Sequence, residues 1–323
     1  MTTKIEWTDE TWNPVTGCSK VSQGCKNCYA ERLAPKVFAG QVVEVDTTPP
    51  KHPEMKASAF RPRAFTDVLC HPERLDAPLH WKKPRRIFVN SMSDLFHEDV
   101  PDKFIDDCFR IMVQAPQHQF QILTKRPARM LSFYQSQSPH RTLTTETKHI
   151  IYSFPLDNVW LGVSVEDQAT ADERIPLLLA TPAAVRFISY EPALGPIDLY
   201  IPHAMAATDP RNTNEHATVL DWVIAGGESG PNARPSHPDW FRAIRDQCAA
   251  AGVPFFFKQW GEWAPETVIS SVGAASRALY VERDGSTRPA AFGTRGNAVT
   301  IQRNGKRAAG RLLDGKVHDE YPA

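Results

Sequence analysis

The chain has 323 residues, in which 37 Lys and Arg are balanced by 37 Asp and Glu. Hydrophobic residues make up 41% and charged residues 23%, close to the globular average, which excludes wholesale disorder. The zero net charge argues against a polyanion-coating protein, although residues 51–86 (+5) and 277–323 (+4) are basic flanks around an acidic middle.

The N-terminus, Met1 to Trp12, carries Lys4, Glu6, Asp9 and Glu10 and has no apolar core, so it does not read as a signal peptide. No apolar run approaches the roughly 18 residues of a membrane span. A cytoplasmic protein is therefore expected, with no membrane partner. Short apolar, β-branched or aromatic runs then recur at Thr11–Gly17, Arg86–Ser91, Gln119–Thr124, Val159–Val165, Val185–Tyr190, Leu220–Gly226 and Pro254–Lys258. Continuous runs such as Ile87-Phe88-Val89 are typical of strands buried on both faces of a parallel sheet. Helical patterns lie between them. Pro101–Ala115 places Phe104, Ile105, Cys108, Ile111 and Met112 on one stripe, behind a proline start signal. Ala169–Ala180 and Pro238–Ala251 read the same way, and Gly252 follows as a stop.

Alternating strands and helices predict an α/β fold, a partial or full (β/α) TIM-like barrel of parallel strands. Residues 36–85, rich in Pro, His and basic side chains, read as an insertion after the first helix, and 198–218 as a loop excursion. The barrel is expected over residues 1–263 and a small C-terminal extension over 264–323.

Polar residues cluster where the apolar runs stop: Ser91-Met92-Ser93-Asp94, Lys125-Arg126, Glu166-Asp167, Tyr190-Glu191, Gly226-Gly227-Glu228 and Lys258-Gln259-Trp260. In a parallel barrel these ends share one face, and that face holds the active site.

The densest signal is Cys18, Cys25 and Cys28, spaced C-x6-C-x2-C in a loop after the first run. Thiolates are soft ligands suited to zinc or iron–sulfur clusters. Gly17 and Gly24 are expected to let the loop curl around a compact group. A structural zinc site or an electron-transfer cluster usually has four ligands, so three leave one position open. A zinc site completed by His52 or His97 is the alternative. Cys108 and Cys248 fall on apolar helix stripes and read as core, and Cys70 stays unassigned.

The segments Trp12-Asn13-Pro14-Val15-Thr16-Gly17-Cys18, Gly24-Cys25-Lys26-Asn27-Cys28-Tyr29-Ala30-Glu31 and Ala225-Gly226-Gly227-Glu228-Ser229-Gly230 carry a family resemblance. The chain resembles the radical S-adenosylmethionine (SAM) superfamily, and within it a phage- and prophage-associated family with a three-cysteine motif and no assigned reaction. That resemblance implies a (β/α) barrel enzyme. Its metal ligands would be Cys18, Cys25 and Cys28, holding a [4Fe–4S] cluster whose fourth iron binds SAM. Electron transfer to the sulfonium then yields a 5′-deoxyadenosyl radical that abstracts hydrogen from a substrate. A flavodoxin- or ferredoxin-type reductant protein is the partner such chemistry implies, and a further protein partner is left open. The sequence departs from the superfamily in its six-residue first gap and in Asn27 before the last cysteine. Its Gly-Gly-Glu triplet follows the sixth run, not the second. Ser91-Met92-Ser93-Asp94 and Lys125 are similar to segments of spore photoproduct lyase-type enzymes, which motivates a nucleic-acid substrate.

Under that resemblance Ser93 and Asp94 are placed to bind the SAM ammonium, though they also suit a helix cap. Lys125 would pair with the SAM carboxylate, as a flexible point charge. Ser164 and Glu166 would accept or share ribose hydroxyl bonds, and Tyr29 would border the adenine or the substrate. Glu191 and Glu228 are the acid–base candidates, with salt bridges to Arg126 or Arg234 as the competing role. The rival function is a zinc-containing nucleic-acid-binding protein without radical chemistry, supported by the basic stretch with Lys82, Lys83, Arg85 and Arg86.

Overall fold

The computed structural model describes residues 3, 5–46, 58–137, 140–144, 149–199, 220–266, 278–290 and 296–322. Seven parallel strands form one sheet: β1 (Glu10–Trp12), β2 (Arg86–Val89), β3 (Gln119–Thr124), β4 (Val159–Val165), β5 (Val185–Tyr190), β6 (Trp222–Gly226) and β7 (Phe255–Gln259). Their order in the sheet is their order in the chain. The sheet curls but stays open, so the fold is a half-barrel of the (β/α) TIM type with a C-terminal extension.

The helices are α1 (Tyr29–Val37), α2 (Asp102–Gln114), α3 (Pro127–Ser136), α4 (Gln168–Leu179) and α5 (Pro238–Ala251). Two-sided burial explains the continuous apolar runs. In β4 every residue is buried. Val159, Leu161, Val163 and Val165 join the core shared with the helices, where Ile105, Cys108, Phe109, Ile175, Ile244 and Cys248 pack. Trp160 points the other way, into an inner cluster with Trp7, Phe88, Phe187, Trp222, Ile224 and Phe256. That cluster fills the base of the half-barrel. Cys108 and Cys248 are fully buried, as core residues should be.

The long connection from α1 to β2 carries a hairpin, Val42–Asp46 with Ser58–Pro62, and its Leu69–Cys70 pairs with Val15–Thr16, which lies ahead of α1. A second hairpin, His140–Thr144 with His149–Ser153, follows α3. After β7 the chain builds a four-stranded antiparallel sheet from Trp263–Pro265, Ala278–Val281, Thr287–Pro289 and Val299–Arg303. It then runs back along the half-barrel. The Trp260 indole donates to the Leu312 carbonyl at 2.9 Å, and the Trp222 indole donates to the Glu320 carbonyl at 2.8 Å. The Tyr321 ring lies 4.9 Å from that of Trp222 and 5.5 Å from that of Phe256, with the Arg86 guanidinium 4.6 Å from its centroid. One side chain thus ties β6 and β7 to β2 beneath the sheet. No helix among the described residues is long and apolar enough to cross a membrane.

The excursion expected over 198–218 lies mostly outside the described residues, as does His52.

Candidate functional site

The C-terminal ends of the strands surround a cavity of about 450 Å³. Tyr29, Cys25, Cys28, Lys125, Ser164, Glu191 and Glu228 line it, and so do Trp7, Arg32, Lys258, Gln259 and Lys306. Cys18, Ser93, Asp94 and Glu166 are not among its walls.

The cysteine loop leaves the first strand at Gly17. That residue has φ +93°, and a Cβ there would run into the backbone of Asp67. Only glycine suits both the left-handed turn and the close approach. Gly24 acts differently from the sequence expectation. Its backbone needs no left-handed freedom; a Cβ there would collide with the Glu166 carboxylate, so the residue is small to let the loop sit on the end of β4. Gln23–Cys25 form a short 3-10 turn, and Cys28 occupies the N-cap of α1. The free N–H groups of that first turn favour negative charge nearby. All three thiols are half-buried.

Four strand ends hold this loop. After β2, the Met92 carbonyl accepts from the Gly17 N–H at 3.0 Å. After β3, Arg126 donates to the Ser19 hydroxyl at 2.8 Å and to the Cys18 sulfur at 3.6 Å. After β4, Glu166 accepts from the Ser22 hydroxyl at 2.9 Å. After β6, Glu228 accepts from the Asn27 amide at 3.0 Å, and Arg234 donates to the Gln23 carbonyl at 3.0 Å.

The expected cofactor ligands therefore divide. Asp94 is buried, and both of its oxygens are taken: Thr124 and the Phe96 N–H at one, the Lys125 N–H and Arg126 at the other. The Ser93 hydroxyl donates to the Val15 carbonyl at 2.8 Å. Glu166 is completely buried between Lys125 Nζ at 2.9 Å and Arg174 Nη1 at 3.2 Å. These three groups build the frame. Tyr29 is fixed by its hydroxyl, which donates to the Ser91 carbonyl at 2.6 Å.

The two glutamates differ as well. Burial alone would raise the pKa of Glu228, but bonds from the Arg234 side chain and N–H, and from Asn27, outweigh it and hold the carboxyl below its usual range. Glu191 meets neither Arg126 nor Arg234. It accepts from Lys258 Nζ at 2.8 Å and from the Gln259 amide at 3.0 Å. This couple faces the cavity and is a polar pair that the loop does not use, as is Lys306 with Glu6 at 3.2 Å. The salt bridge to Arg234 that the sequence offered as the competing role is present at Glu228, whereas Lys258, Gln259 and Asn27 had no role assigned from sequence, although Lys258 and Gln259 stand at a strand end.

The Cys18 thiol is pushed up to about 11 by burial first and the Asp94 charge second, against an opposing pull from Arg126. Among the described residues, no three His, Cys, Asp or Glu side chains converge on a position for a single metal ion. His97 is buried and engaged with the Ser19 hydroxyl at 2.8 Å and the Asp99 N–H at 3.1 Å. Part of the basic stretch is engaged internally, while Lys82 and Lys83 are exposed. Arg61 pairs with Asp67, Arg85 with Glu10 and Arg86 with Asp9, while Arg63 is buried on the Thr16 carbonyl and hydroxyl.

The model of one family, described as a protein of unknown function (DUF5131), matches residues 2–322. No curated protein and no solved structure matches the chain.

Proposed function

We propose that this chain, which belongs to the DUF5131 family, is a radical SAM enzyme whose [4Fe–4S] cluster is held by Cys18, Cys25 and Cys28. The half-barrel is an enzyme scaffold, and its strand ends are where such scaffolds place their chemistry. The observation that carries the reading is the cysteine loop itself: it holds three half-buried thiols, is clamped to four strand ends, and puts Cys25 and Cys28 on the wall of the cavity.

The donor set fits the group. Three thiolates from one loop are soft ligands, and a cubane takes each on a separate iron. The α1 N-terminus at Cys28 favours the negative charge of such an assembly. When bound, the cluster would deliver an electron to the sulfonium of SAM and so generate the agent of hydrogen abstraction.

The chain's own residues divide the remaining work. Lys125 and Ser164, on the cavity wall at the ends of β3 and β4, would meet the carboxylate and hydroxyl groups of SAM. Asp94 and Glu166 act one layer back, by fixing Arg126 and Lys125. Glu228 stays ionised and holds Asn27, which orients the loop. Glu191 and Lys258 would face a substrate, and a proton can pass between Glu191 Oε2 and Lys258 Nζ across 2.8 Å. Trp7 and Phe88 give the cavity an apolar wall that excludes water. The substrate class stays open to nucleic acid, and a reductant protein must supply the electron.

Anaerobic reconstitution tests the proposal directly. The wild-type chain is expected to hold iron and sulfide and to form 5′-deoxyadenosine from SAM with dithionite. Cys18→Ala, Cys25→Ala and Cys28→Ala should each lose the cluster, whereas Cys108→Ala should keep it. Stoichiometric zinc, or an intact cluster that never cleaves SAM, would overturn it.

A further inference from the structure

Arg126 joins β3 to α3 and is buried, with 4% of its side chain exposed. All three of its guanidinium nitrogens are engaged. Nε donates to the Glu98 carboxylate at 2.9 and 3.0 Å. Nη1 reaches Asp94 Oδ2 at 3.4 Å and Cys18 Sγ at 3.6 Å. Nη2 donates to the Ser19 carbonyl at 3.2 Å and to its hydroxyl at 2.8 Å. His97 holds that hydroxyl from its own side at 2.8 Å. One rigid plane thus grips Cys18 and the residue after it, and two carboxylates keep the plane from turning.

The other two cysteines are held differently. Cys25 has the Ser22 hydroxyl 3.9 Å from its sulfur, and Cys28 stands at the helix N-cap. Cys18 is the one of the three with a guanidinium at hydrogen-bond distance among the described residues.

We propose that Arg126 is a positioning residue that locks Cys18 in place and raises the reduction potential of the cluster those cysteines hold. The inference rests on the radical SAM reading of the site. A charged N–H bond to a ligand sulfur favours the more negative, reduced state, and cluster potentials follow net charge and hydrogen bonds to sulfur. Lysine cannot replace the fork, because a single ammonium cannot reach Glu98, Cys18 and Ser19 together.

The test uses the full chain, reconstituted anaerobically with iron and sulfide, and its midpoint potential in a dithionite titration followed by electron paramagnetic resonance. Arg126→Gln is expected to hold iron and sulfide and to show a more negative midpoint, with Arg126→Lys between it and wild type. An unchanged midpoint in Arg126→Gln at equal iron content overturns the inference while the radical reading stands. If Arg126→Gln fails to fold, Arg126→Lys decides: a lower midpoint supports the role and an equal one overturns it. If neither folds, Ser19→Ala, which removes an anchor of the guanidinium, is read by the same criterion. A wild-type chain that takes up no cluster overturns the radical reading and this inference with it, a result seen before any variant is made.

Discussion

Glu166 has no exposed surface, yet it faces Lys125, Arg174 and the Ser22 hydroxyl at once. Taking away its charge would leave two cations in the interior with their shared partner neutral. Removing one member of a buried pair costs about 3–5 kcal/mol, because the remaining charge stays desolvated. Glu166→Gln should therefore lower unfolding free energy by about that much in urea denaturation. A loss under about 1 kcal/mol would show that Lys125 and Arg174 find other partners. The place of the cysteine loop was legible, since it follows the first run and a parallel sheet gathers such loops at its strand ends. The partners of Glu166, Asp94 and Glu191 were not legible. Which charge meets which depends on where neighbouring strands stop, and the run of residues does not encode that local register. Glu166 therefore read as a ribose ligand, although it anchors the loop. Glu191 read as a partner of Arg126 or Arg234, although it sits beside Lys258 across the β5 and β7 ends.

Helix α5 shows what an element needs besides its own pattern. Its inner stripe, Trp240, Phe241, Ile244 and Cys248, packs on the sheet. Its outer side meets the returning tail, where Asp314 pairs with Arg242 at 2.7 Å and Arg245 at 2.7 Å. The Arg242 bond leads, with Arg245 adding to it, and against a small burial penalty they hold the Asp314 carboxyl down to about 2. An unfolded Asp titrates near about 3.9. The folded form binds its proton less readily, so this pair stabilises fully above about pH 4 and loses its contribution as pH falls toward 2. Thermal melts from pH 5 to 2 should fall more steeply for wild type than for Asp314→Asn. Parallel curves would remove the pair from the acid response. Element existence was legible where burial is two-sided: Gln119–Thr124, Val159–Val165 and Val185–Tyr190 match their strands residue for residue. Helix α3 was not read from the sequence. Its ten residues bury Met130, Phe133 and Tyr134, under three turns, which is too few repeats for a stripe to stand out.

At the scale of the whole molecule, an open sheet must cover the inner face that a closed barrel would cover by itself. Trp7 does this from one side, its ring 4.8 Å from Phe88 and 6.3 Å from Trp222. Tyr321 does it from the other. Tyr321→Ala should cost about 2 kcal/mol, below the usual aromatic truncation because the ring is only partly buried. Trp222 fluorescence should shift to the red as water reaches its ring. An unchanged emission maximum with an unchanged melting temperature would show that the tail merely rests there. The half-barrel and a C-terminal extension were legible from the rhythm of the runs. The return of the tail was not, because Leu312–Tyr321 is short, carries no repeating apolar pattern, and is held by scattered contacts of both side chains and backbone carbonyls.

That return sets an order of events during synthesis. Chains emerge from the ribosome N-terminus first, and early segments ordinarily begin to fold before later ones exist. Here β7 ends at Gln259, yet the ring that caps Trp222 and Phe256 is residue 321. For the time it takes to translate the intervening residues, the aromatic floor stands open to solvent. The nascent half-barrel then keeps apolar surface exposed until the segment that carries Tyr321 has been made.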